Sequence, residues 1–138
     1  MVRKLGRLTV GFVVGAVACI LTVGAFAAED KKPMEISEIM KKGHSKSGLL
    51  NKIKEGVKTE KWDTIAEPAK TFKTFGEDLV KNKPEKGDDD SWKKLSEEYK
   101  KTTADIAAAV EKKDQKAATV ALGKLGQKSC KTCHDAHK

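Results

Sequence analysis

Apolar positions recur at helical spacing in four stretches of the chain. In the first, Ile36, Ile39, Met40, Leu50 and Ile53 fall on one face, with His44 one turn after Met40. This predicts a helix from Ile36 to about Gly56, entered through Pro33, whose fixed φ suits a first turn. Gly43 and Gly48 lower its propensity, and leave room for a flat group or another helix to approach closely. A second stripe, Trp62, Ile65, Ala66, Ala69, Phe72, Phe75 and Leu79, predicts a helix starting near Thr59 or Glu60. Pro68 lies inside it and predicts a kink or a short break. Lys81 to Asp90, with Pro84 and Gly87, reads as a loop.

Asp88, Asp89, Asp90 and Ser91 suit the positive end of a third helix. Its buried face is Trp92, Leu95, Tyr99, Ile106 and Val110, and Lys112 to Asp114 makes the next turn. The fourth helix starts near Asp114 or Gln115. It carries Ala118, Ala121, Leu122, Leu125 and Cys130 on one side and runs on into Cys133 and His134. Gly123 and Gly126 reduce side-chain bulk near that end. No stretch alternates as a strand does, and no repeat is visible. Four amphipathic helices with short connections predict an all-α fold, an antiparallel four-helix bundle.

The first 28 residues change the picture. Arg3, Lys4 and Arg7 precede a nearly charge-free run from Leu8 to Ala28, and Ala25-Phe26-Ala27 offers small residues for cleavage. This is the pattern of a secretory signal peptide over residues 1–27, which leaves residues 28–138 as the mature domain. The run is also long enough for an uncleaved membrane anchor, the alternative reading. Cys19 lies inside it, and Ala16-Val17-Ala18 lacks the leucine expected of a lipidation site. The mature part then keeps two cysteines, Cys130 and Cys133.

The chain carries a net charge of +8, and removing the three leader cations leaves +5. The lysines are interspersed with acidic residues and no aromatic-interleaved basic strand occurs. This argues against nucleic acid and suits a soluble surface or docking to acidic partners. The mature part has only two Trp, one Tyr and two Phe. A domain this small often needs a disulfide, a metal or another cofactor to complete its core.

Cys130-Lys131-Thr132-Cys133-His134 is the attachment pattern of a c-type haem. On a helix, the two thiols face the same way and the imidazole lies one turn beyond Cys130. Two other chemistries use these residue types. A redox dithiol places its reactive thiolate at a helix N-terminus, whereas this pair follows a long helical pattern. A zinc site from Cys130, Cys133, His134 and His137 would draw four ligands from eight residues, with two of them adjacent, and closure would be strained. Export, the helical pattern and the C-x-x-C-H order favour haem, with His134 as the proximal ligand.

The late motif, the preceding Leu125-Gly126-Gln127-Lys128, the tryptophan opening the third helix and the stretch from Met40 to Gly56 carry a resemblance. Over Pro33 to Lys138 the chain resembles the class II c-type cytochromes, the cytochrome c-prime and cytochrome c-556 group. The resemblance implies a four-helix bundle with C-terminal covalent haem attachment. In the c-556 branch a first-helix methionine takes the sixth iron position, and Met40 matches that position. It implies a periplasmic electron-transfer protein, not an enzyme. One haem c would be held through Cys130 and Cys133, and the iron would cycle between Fe(III) and Fe(II) with His134 proximal and Met40 distal. His44, on the same helical face, is the competing distal ligand. The alternative is a five-coordinate protein of the c-prime kind, binding nitric oxide or another small gas. A non-haem helical binding protein would require the pentapeptide to be coincidental. Redox partner proteins are implied. A homodimer is too, since members of this class often pair through their first two helices, and membrane association follows only from an uncleaved N-terminal segment.

Overall fold

A computed structural model describes residues 32–138, apart from the side chains of Gln127 and Lys128. The leader, its cleavage site and Cys19 lie outside the described residues. The described part is all-helical. Helix α1 spans Ile36–His44, α2 Leu49–Lys58, α3 Trp62–Leu79, α4 Asp89–Glu111, α5 Gln115–Lys124 and α6 Cys130–His137, with a π turn at Leu125–Ser129 joining the last two. No helix among the described residues is long and apolar enough to cross a membrane.

The helices form because each buries one apolar stripe. Ile39, Leu50, Ile53 and Val57 meet Ile65, Ala69, Phe72, Phe75 and Leu79 of α3. Trp92, Tyr99, Ile106, Ala109 and Val110 of α4 complete the same core with Ala118, Ala121, Leu122 and Leu125. Helices α3 and α4 pack along their length, α2 lies against α3 and α5, and α5 against α4. The close approach of α3 and α4 depends on Gly76. A Cβ there would run into Thr103 Oγ1 and come within 2.9 Å of the Lys100 Cα. The N-termini of α4 and α5 are capped as their sequences suggest. The Asp88 side chain accepts from Ser91 N–H at 2.9 Å, and Asp114 accepts from Ala117 N–H at 2.9 Å.

Four local expectations are corrected. The first predicted helix is two helices, interrupted at residues 45–48. Gly48 lies so close to the Gly43 carbonyl that a Cβ would be 2.7 Å from its oxygen, and Gly43 faces Phe72 and Phe75. Both glycines therefore serve chain and helix packing. Helix α3 starts at Trp62, because Thr59 closes α2 and Glu60 takes a positive φ of 55°. Pro68 neither breaks nor ends α3. It costs one backbone hydrogen bond, and the buried residues on both sides of it hold the helix through. The last predicted helix contains a π turn that periodicity did not announce.

Candidate functional site

The pentapeptide is positioned by that π turn. In a straight α-helix, residue 130 would lie roughly 140° around from Leu125. A turn closed by i→i+5 bonding brings it back nearly above Leu125. Leu125 is fully buried, so Cys130 is drawn toward the interior and ends half-buried. Its thiol donates to the Leu125 carbonyl at 3.1 Å. Cys133, one turn on, packs at the edge of the core, and His134 is exposed. Burial pushes both thiols above their ordinary range, although the Lys54 ammonium opposes this at Cys130. Neither is an activated thiolate, so the pair lacks the property a redox dithiol needs.

Cys133 and His134 line a cavity of about 400 Å³. Its other walls include Ile36, Ser37 and Met40 from α1, Trp92 from α4 and Pro84, Glu85 and Lys86 from the α3–α4 loop. The fold thus brings Met40 and His134, 94 positions apart in sequence, to one cavity. The size suits a cofactor or small-molecule site. His44 does not line it. Neither do Cys130, Gly123 and Gly126, and of the Trp, Tyr and Phe side chains only Trp92 does.

The loop forming the outer wall is held from both ends. Asn82 Nδ2 donates to the Met34 carbonyl at 2.9 Å and to the Asp78 carbonyl at 2.8 Å, while the Asn82 carbonyl accepts from Trp92 Nε1 at 2.8 Å. Met34 is thereby fixed beside the loop. At the other end, His137 Nδ1 donates to the Lys86 carbonyl at 3.0 Å. A carbonyl only accepts, so Nδ1 carries the proton, and in the neutral ring Nε2 accepts from the Ser91 hydroxyl at 3.2 Å. The imidazole stands edge-on to Trp92 at 5.4 Å. Gly87 permits this clasp: its φ is +93°, and a Cβ would collide with the His137 ring. His137 therefore ties α6 to the loop, a role that no sequence pattern announces.

His44 is engaged elsewhere. Its Nε2 lies 2.9 Å from the Tyr99 hydroxyl, and its ring stands 5.5 Å from Phe72 and 5.6 Å from Tyr99. Burial first, then the His134 and Lys54 charges, lower its pKa from 6.5. Burial raises that of Tyr99, helped by Cys130. The stable pairing is a phenol donating to a neutral imidazole. Tyr99 stood in the predicted core stripe, and only its register opposite His44 would have revealed this bond. A histidine with a lowered folded pKa contributes stability above about pH 6.5 that is lost as pH falls through the folded value. The urea midpoint is therefore expected to fall on acidification below that pH, and less steeply in His44→Gln. An equal slope in both proteins would contradict the assignment.

Among the described residues, no group of three or more His, Cys, Asp or Glu side chains converges as a metal-ion site. The donors on the cavity are different: the Cys133 thiol and the His134 and His137 imidazoles from α6, with the Met40 thioether from α1, while the Cys130 thiol lies one turn before Cys133 and outside the lining. Thiols able to take a covalent attachment, together with an imidazole and a thioether, are donor types that a haem accepts. Compared with protein-family models, curated proteins and solved structures, the chain matches none.

Proposed function

We propose that this chain is an exported electron-transfer protein, a class II type cytochrome built as an antiparallel four-helix bundle around one haem c. The observation that carries the reading is the shared cavity, lined by Met40 from α1 and by Cys133 and His134 from α6. Cys130 and Cys133 would each add S–H across a haem vinyl group, the sulfur bonding to one carbon and the hydrogen going to the other. His134 would hold the iron from one side and Met40 from the other. The haem supplies a one-electron Fe(III)/Fe(II) couple.

The polypeptide's part is to keep two ligands fixed and the surroundings dry. Ile36 and Trp92 provide apolar cover, and the bonds of Asn82 and His137 hold the loop in place. Lys86 and Lys138 flank the cavity and would steer an acidic redox partner. Absorption spectra of the exported protein, oxidised and reduced, test the assignment. Low-spin six-coordinate haem with a sulfur-to-iron charge-transfer band in the ferric form is the expected result. A high-spin spectrum in both states, with nitric oxide binding directly, would replace this reading with the five-coordinate gas-binding one.

A further inference from the structure

Met40 and His44 lie one turn apart on α1, and both are ligand types that iron accepts. Only Met40 reaches the cavity. The difference lies in what His44 touches. Its Nε2 is 2.9 Å from the Tyr99 hydroxyl, and its ring is flanked by Phe72 and Tyr99. Phe72 is fully buried and Tyr99 nearly so, at 6 % exposure, and their rings meet edge to face at 6.1 Å. These partners are held by core packing, whereas His44 is only partly buried. It is the last residue of α1, and the chain leaves helical geometry at Ser45. The Lys54 and His134 charges act on the same imidazole, and Cys130 lies close enough to influence Tyr99.

We propose that Tyr99 is a positioning residue whose hydroxyl sequesters His44, so that Met40 keeps the place opposite His134. The inference rests on the haem reading above and deepens it: the hydrogen bond selects which of two candidate side chains ligates. A buried phenol deprived of its acceptor, or an imidazole deprived of its donor, is costly, so the pair opposes release. Removing only the hydroxyl leaves the ring packing intact and frees Nε2.

The test uses exported holo-protein in three forms: wild type, Tyr99→Phe, and Tyr99→Phe with His44→Gln. Wild type shows the ferric sulfur-to-iron band. Tyr99→Phe loses at least half of its intensity, becomes a low-spin bis-imidazole spectrum and has a lower midpoint potential. Adding His44→Gln restores the band, a rescue that general loosening of the core would not produce. Nitrogen-15 NMR gives a readout independent of the iron ligand: wild-type His44 carries its proton on Nδ1 and accepts at Nε2, and Tyr99→Phe loses that signature. A Tyr99→Phe spectrum matching wild type between about pH 5 and 8, or a lost band that His44→Gln does not restore, overturns the inference alone. Absence of the sulfur band from wild type overturns the Met40 reading and the inference with it.

Discussion

Met40→Ala is expected to abolish the ferric sulfur-to-iron band and to lower the midpoint potential by roughly 0.1–0.3 V, part of the ~0.8 V that axial ligation spans. A thioether is a soft ligand that favours Fe(II), so its loss shifts the couple toward Fe(III). The truncation also enlarges the cavity beside Ile36 and Trp92, admitting water or an added ligand to the vacated side. Spectroelectrochemistry of wild type and variant measures both effects. Unchanged spectrum and potential would remove Met40 from the iron. If His44→Ala produced the change instead, the distal ligand would be His44.

Phe72→Ala is expected to destabilise the protein by about 3–5 kcal/mol, the usual cost of emptying a buried aromatic site. Phe72 is fully buried at the meeting point of three elements. Its ring stands edge-on to His44, Phe75 and Tyr99, and a Cβ on Gly43 would lie 3.3 Å from its Cε2. Rigid helices cannot collapse into the space left behind, so both the transfer and the cavity contributions remain. Chemical denaturation followed by circular dichroism measures the loss. A change below about 1 kcal/mol would show that α1 repacks onto α3 and α4 without this ring.

Much of the fold was legible because burial and periodicity coincide. Asp88 and Asp114 announced the starts of α4 and α5, and each accepts a backbone N–H there. The break at residues 45–48 was concealed because Leu50 and Ile53 continue the apolar face begun by Ile39 and Met40. Helix α1 ends where Ser45 turns to extended backbone, and the chain then brings Gly48 close against the Gly43 carbonyl, which periodicity cannot report. At Pro68 a local rule predicts a kink or a short break; the break is absent, because Ile65, Ala69 and Phe72 are buried on either side of it and packing carries the helix through.

The site was partly legible as well. Cys130, Cys133 and His134 stood out by type and spacing and Met40 through the family resemblance; Met40, Cys133 and His134 line one cavity, and Cys130 does not. The partners that hold the site came only with tertiary structure. Tyr99 and Trp92 read as core residues, and no sequence pattern pairs them with His44 or Asn82. The π turn was equally silent. Its effect is nevertheless large, since it turns Cys130 toward the interior instead of away from it.

The central claim is covalent haem at Cys130 and Cys133, and intact-mass spectrometry tests it most directly. The full-length chain would be expressed with export and a haem-attachment system, then denatured before measurement. One added haem mass, retained through denaturation and lost in Cys130→Ser/Cys133→Ser, is the predicted result. An unmodified polypeptide with both thiols free to alkylate would contradict the account.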